Sequence, residues 1–185
     1  MLDELFADIK DRMDKTVETT VKDFSKVRTG RATPELLDDI HIEVYGAAMR
    51  LNQVASIAVP QPRLLRVSPF DIGNINAIER AISTSDLGIH PRNDGRHIML
   101  ELPALTEERR KELVKTIRKK AEEKKVAIRN VRRDGNDELK LYEDEKEISE
   151  DDRDRGLKKI QELTDEYIKK IDELVEKKDK EIMEF

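Results

Sequence analysis

Apolar residues near the start of the chain step by threes and fours: Leu2, Leu5, Phe6, Ile9, Met13, Val17, Val21, Phe24 and Val27. That spacing lines one face of an α-helix, which should stop near Thr29 and Gly30. A second run of the same period passes through Leu113, Ile117, Ala121, Lys124, Ile128, Val131, Gly135, Leu139 and Tyr142. Thr106 is its candidate N-cap, and Glu107 and Glu108 fall in its first turn, where carboxylates meet the positive end of the helix. At 1.5 Å per residue this helix would span roughly 60 Å. Gly135 is disfavoured inside it by about 1 kcal/mol relative to alanine, so a break at Asp134 to Asn136 is the rival reading. The apolar phase runs unbroken across that point, which favours one continuous rod. A third run opens at Ser149, where SEDD sets a carboxylate three residues after a hydroxyl, and carries Leu157, Ile160, Leu163, Tyr167, Ile171, Leu174 and Val175.

Three long helices with one apolar stripe each can bury those stripes only against one another, which predicts an antiparallel three-helix bundle. Residues 31–103 follow another pattern. Alternation in IHIEVY (Ile40 to Tyr45), the segments SIAV, LLRV and HIMLEL, an NDG turn and clustered prolines read as short strands joined by tight turns. Within them NAIERAIS (Asn76 to Ser83) reads as one short helix. The predicted fold class is therefore α+β: a long antiparallel three-helix bundle (1–30 and 104–185) with an inserted small β/α/β domain (31–103). The chain crosses between the two at Thr29, Gly30 and Arg31 and again at Pro103, Ala104 and Leu105. A double crossing permits hinge motion but limits its direction, so an L-shaped protein with a mobile elbow is expected.

Composition sharpens this picture. Charged residues make up 42% of the 185-residue chain and apolar ones 37%, against about 25% and 45–50% in an average globular protein. The core must be thin, which suits elongated helices, while the regular apolar spacing argues against disorder. No cysteine is present, so neither a disulfide framework nor a thiolate metal site can form, and a reducing, cytoplasmic setting is expected. The opening MLDELFADIKDRMDK interleaves acids with apolar residues, unlike a signal peptide, and no run of 18 apolar residues occurs, so no membrane span is expected.

The formal net charge of −5 conceals a polarity. Residues Arg109 to Arg133 hold twelve Lys or Arg against three Glu, whereas Asp134 to Asp154 hold three against eleven Asp or Glu. Such a chain can press one region against a polyanion while the remainder is repelled. Enzyme readings find little footing. His41, His90 and His97 lack the helix spacing of a zinc site, and neither a Gly-rich phosphate loop nor a GxSxG elbow occurs. No catalytic residue, metal or cofactor is expected.

The basic stretch takes shape on a helical wheel. With Ile128 as the core direction, Arg132, Lys125, Arg118, Arg129 and Arg133 fall at roughly 40°, 60°, 80°, 100° and 140°. Lys111 and Lys115 share the last two directions, and Glu122 is the only acid among them. Arg110 joins the set at the start of the stretch. A one-sided row of forked guanidinium groups on a stiff rod suits phosphate oxygens along a nucleic-acid backbone. With 4% aromatic residues and no Trp, a base-stacking platform is poorly supplied, so the backbone of structured RNA is the better fit. The rival from another class is a structural adaptor that docks partner helices and uses charge for solubility alone.

Five blocks carry a resemblance that spans the chain: SKVRTGRATPELLDDIHIEVYG (Ser25 to Gly46), SDLGIHPRNDG (Ser85 to Gly95), LTEERRKEL (Leu105 to Leu113), IRNVRRDGND (Ile128 to Asp137) and KEISEDD (Lys146 to Asp152). In this order they resemble the signature stretches of bacterial ribosome recycling factors. The resemblance implies a bundle with an inserted domain, shaped like a transfer RNA. It also implies a monomeric, non-enzymatic factor that binds between the subunits of the post-termination ribosome, with its bundle against large-subunit ribosomal RNA. Elongation factor G and GTP would then drive dissociation into subunits and release from messenger RNA. On that mapping Arg129, Arg132 and Arg133 are the principal RNA contacts, and Arg28 and Arg31 lie at the bundle tip and elbow. The sequence departs from the family pattern at Pro60, Pro62 and Met99, all within the insert.

Overall fold

The first apolar run forms α1 (Leu2–Ser25), which buries Leu5, Ile9, Met13 and Phe24. Its stripe is not continuous: Val21 is 47% exposed and Thr20 takes the inward position. Thr20 satisfies its hydroxyl by donating to the Thr16 carbonyl at 2.7 Å. The helix ends before the expected Thr29. The Ser25 hydroxyl donates to the Lys22 carbonyl, and the Val27 N–H turns to the Phe24 carbonyl three residues back, which tightens and closes the last turn.

The structure, a computed structural model, describes residues 1–184 and divides into two compact units, Met1–Thr29 with Glu107–Glu184, and Gly30–Thr106. In the first, the second apolar run forms α4 (Glu107–Asp144), 38 residues without a break at Gly135. A turn with Lys146 at φ +61° leads into α5 (Glu150–Met183). The expected cap is present: the Ser149 side chain accepts from the Asp152 N–H at 3.1 Å while the Asp152 carboxylate reaches back to the Ser149 N–H.

Two helix glycines set how closely these helices approach. A Cβ at Gly135 would stand 2.4 Å from Ile9 Cδ1 and 3.0 Å from Ile160 Cδ1, and one at Gly156 would stand 2.8 Å from Leu139 Cδ1. Side chains of α1 and α5 thus occupy the space that a methyl group on α4 would need. Tyr167, buried in this core, donates its hydroxyl to the Asp14 carboxylate, so its one polar atom is satisfied.

The second unit contains β1 (His41–Val44), β2 (Ala47–Arg50), α2 (Leu51–Val54), β3 (Ala55–Gln61), β4 (Leu64–Pro69), α3 (Ile75–Ser83), β5 (Pro91–Asn93) and β6 (Ile98–Glu101). The β1–β2 hairpin turns through Tyr45 and Gly46, both at positive φ, as a two-residue turn of this hand requires. The other four strands form an antiparallel sheet in the order β3-β4-β6-β5. One face buries Leu65, Val67, Ile98 and Leu100 in an aliphatic core with Ile75, Ile78 and Ile82 of α3. The sequence did not announce α2 or the two short 3-10 turns, Pro34–Leu37 and Ile72–Asn74, whose few residues are too short to show a period.

Both ends of this unit meet one hairpin turn. The Ala32 N–H donates to the Pro62 carbonyl at 2.7 Å and the Leu102 N–H to the Arg63 carbonyl at 2.8 Å. Gly30 adopts φ +79°, and a Cβ there would press on the Leu105 side chain at 3.1 Å.

Gly135→Ala is expected to lower stability by about 1 kcal/mol. Overpacking a filled core by one methyl costs about 1–3 kcal/mol, which outweighs roughly 1 kcal/mol of improved helix propensity. Thermal denaturation by circular dichroism measures this directly. A second expectation concerns acid. Hydrogen bonds from the Ser149 hydroxyl and backbone, then from Arg155, hold the Asp152 carboxyl below its ordinary value. A group depressed on folding contributes stability above its unfolded value, and that contribution fades as pH falls through the lower folded value. Asp152→Asn should therefore be less stable than wild type at neutral pH, with the difference shrinking as pH falls below the ordinary carboxyl range and the wild-type side chain takes up its proton.

Candidate nucleic-acid interface

The basic residues of α4 divide by direction. Arg118, Lys125 and Arg132 recur every seven residues, a spacing that keeps them on one flank of a straight helix. On α5, Asp179, Asp172 and Asp165 recur at the same interval in the opposite chain direction. The first two levels close as direct ion pairs. Arg118 grips Asp179 at 2.9 Å, and Lys125 pairs with Asp172 and reaches Glu122 at 3.3 Å. The hydrogen bond to Asp172 raises the Lys125 ammonium above its ordinary value, so it stays charged but occupied.

The third level differs. Arg132 Nη1 donates to the Gln161 side-chain carbonyl at 3.1 Å, and Gln161 in turn donates to Asp165 at 2.8 Å. A neutral amide therefore stands between the guanidinium and the carboxylate. Arg132 has five N–H donors, and this contact engages one of them.

The expectation of a stripe interrupted by Glu122 alone is thus corrected. α5 supplies compensating carboxylates that a wheel drawn for a single helix leaves out. Arg110 is also drawn inward: it is half-buried and donates from Nη1 to the Met183 carbonyl at 3.3 Å, where a cation meets the negative end of α5. Arg129 and Arg133, turned further from α5, are exposed and form no ion pair or side-chain hydrogen bond among the described residues. Arg28 and Arg31 are exposed as well, and neither is without a partner. Of the expected hinge residues, Thr29 is buried, Leu105 is half-buried, and Pro103 and Ala104 are exposed.

A contact on the other flank supports the same region. Arg12 of α1 holds Asp134 at 2.5 Å, which neutralises the carboxylate that follows Arg133 in the chain. Lys124 holds Asp23 of α1 at 2.9 Å and depresses its carboxyl. Neither pair was foreseen, since each joins helices about a hundred residues apart in sequence. Among the described residues no cluster of His, Asp or Glu could hold a metal ion, and no helix is long and apolar enough to cross a membrane. His97 meets Ser68 at 3.0 Å in the sheet, and His41 and His90 are exposed.

A bundle of three helices with a small inserted sheet is the architecture of a family whose model, described as ribosome recycling factor, matches residues 20–183. The chain belongs to the ribosome recycling factor family. Curated relatives agree over full length. The ribosome-recycling factor of Syntrophomonas wolfei is 52% identical over 184 residues, covering all of both chains, and that of Carboxydothermus hydrogenoformans is 51% identical over 183 residues, covering 99% of each. Among solved structures, the solution structure of a ribosome recycling factor matches with TM-score 0.78 at 38% identity, covering 100% of this chain and 98% of the other. A second match, TM-score 0.67 at 46% identity over 99% of both chains, belongs to models for the T. thermophilus ribosome recycling factor and the E. coli elongation factor G bound to the E. coli post-termination complex. The α+β fold class follows from these neighbours, and the family is one of translation factors.

Gln161→Glu would set a carboxylate against Arg132 in place of the amide. Ribosome affinity is expected to fall severalfold, by cosedimentation at moderate salt, while thermal stability holds or rises slightly, because an added surface ion pair is worth about 0–1 kcal/mol.

Proposed function

We propose that this chain binds the post-termination ribosome between its subunits and, with elongation factor G and GTP, promotes dissociation into subunits and release from messenger RNA. Family membership supports the recycling role, and the similar T. thermophilus chain belongs to models that include elongation factor G on a post-termination complex. The chain itself acts as a monomer in the cytoplasm, without a catalytic group, metal or cofactor. The bundle (1–30 and 104–185) carries the contact to large-subunit ribosomal RNA. The small domain (31–103) moves on a hinge at Thr29, Gly30 and Arg31 and at Pro103, Ala104 and Leu105.

The observation that carries this reading is the trio Arg129, Arg132 and Arg133. Two form no ion pair among the described residues and the third is held by a neutral amide, on a helix made stiff by close packing at Gly135. Three guanidinium groups within five residues present charge-assisted donors that outward-facing phosphates can accept. Arg118, Lys125 and Arg110 contribute less, because each would first give up a bond to α5. Arg28 and Arg31 add to the contact from the region where the chain leaves α1.

Light scattering of post-termination ribosomes mixed with this protein, elongation factor G and GTP should show subunit release, and absence of release would overturn the proposal. Arg132→Ala should weaken ribosome binding roughly 10- to 100-fold, the loss of a hydrogen bond to a charged group. Its fold should hold, since the half-buried side chain bonds only the Gln161 amide, which keeps Asp165 as a partner. Affinity should fall steeply with salt as phosphate contacts release counterions.

A further inference from the structure

The face of the four-stranded sheet opposite α3 belongs to a different unit from the arginine edge of α4. Its register places one row across all four strands. Ala58 pairs with Arg66, Arg66 with Met99, and Met99 with Arg92. Directly paired residues of an antiparallel sheet point to the same side, and the neighbouring positions Val67, Ile98 and Leu100 are buried on the α3 side. Arg66 and Arg92 therefore stand on the open side, with Met99 between them. Two strand spacings separate them, roughly 10 Å.

The charge of this unit is unusual. Every cation of residues 30–106 is an arginine. Among the described residues Arg50, Arg63, Arg66, Arg80, Arg92 and Arg96 form no ion pair, whereas the bundle lysines and arginines are widely paired with neighbouring acids. Beside the row lies an open recess of about 550 Å³ that includes Arg63, Arg92, Leu64 and Met99. Two acids border it. Asp94 is turned into its own loop, where one carboxylate oxygen accepts from the Arg96 and His97 N–H groups, while Glu101 remains exposed at the end of the row that starts at Leu64.

The geometry points to a second RNA-contact surface on this open sheet face, where Arg66 and Arg92 engage phosphates of a folded RNA backbone from either side of Met99. Unpaired guanidinium forks fixed on a rigid sheet match phosphate oxygens. The row itself, Ala58, Arg66, Met99 and Arg92, carries no aromatic ring, so it reads backbone and not stacked bases. An acidic protein segment is the competing partner, and the test separates the two. The inference takes the ribosome as partner from the proposed function, but its readout is independent of the bundle.

The double variant R66Q/R92Q is compared with wild type and with R50Q/R80Q, which removes the same charge from this unit outside the row. Binding to ribosomes, and separately to protein-free ribosomal RNA of both subunits, is measured across a salt series with the full chain. Each phosphate contact contributes about 0.7–0.9 to the slope of log affinity against log salt. Losing two contacts should lower the slope magnitude by roughly 1.4–1.8, so between about 50 and 200 mM salt wild type should lose roughly tenfold more affinity than R66Q/R92Q. R50Q/R80Q should keep the wild-type slope. An unchanged slope in R66Q/R92Q overturns the inference, as does an equal fall in both double variants, which would mark general charge and no particular face. A fall on ribosomes with none on protein-free RNA overturns it in favour of an acidic protein partner. Should wild type fail to bind ribosomes, the recycling reading falls, and the protein-free RNA arm still decides this one by the same slopes.

Discussion

Close approach between helices is the constraint from which the rest of the bundle follows. A chain with so few apolar residues cannot fill a wide core, so the three helices must bring their backbones near one another and share a narrow seam. Gly135 and Gly156 make that possible by leaving room for Ile9, Ile160 and Leu139. Intrinsic preference for alanine at a helix interior yields here to packing, because the space a methyl group would take is already filled.

Once the seam is fixed, the flanks are fixed with it. The seven-residue interval on α4 meets the same interval on α5, so opposite charges face each other level by level and help to hold the register between the two helices. Exposed pairs of this kind contribute little each to stability. Their larger effect is to sort the cations into occupied and available ones. Gln161 interrupts the series at Arg132, and Arg12 removes the competing charge of Asp134. Availability of the arginine edge is therefore a property of all three helices, although every arginine in it comes from α4.

The fold was largely legible in the sequence because long periodic runs leave few alternatives. The continuity of α4 through Gly135, the Ser149 cap and the short helix at Ile75–Ser83 could be read from spacing and residue type. Less legible were features that depend on what lies across a seam. A wheel for α4 alone puts Lys125 and Arg129 on one stripe, yet among the described residues Lys125 is paired with Asp172 and Arg129 forms no ion pair. The matching interval of Asp165, Asp172 and Asp179 was a usable sign of this pairing. The end of α1 was misplaced because the Ser25 hydroxyl competes for a carbonyl, an effect too local for apolar periodicity to register.

The way the inserted unit begins and ends bears on how the chain assembles. α4 and α5 are joined by a short turn and can zip together soon after both are made, whereas α1 is separated from them by a long stretch whose closure carries an entropic penalty. That stretch brings its own ends together, because Ala32 and Leu102 both bond to the turn at Pro62 and Arg63. Once folded, it behaves as a short tether. Closing the long connection between α1 and α4 therefore costs less entropy once the insert has folded, because its two ends are already held at one turn.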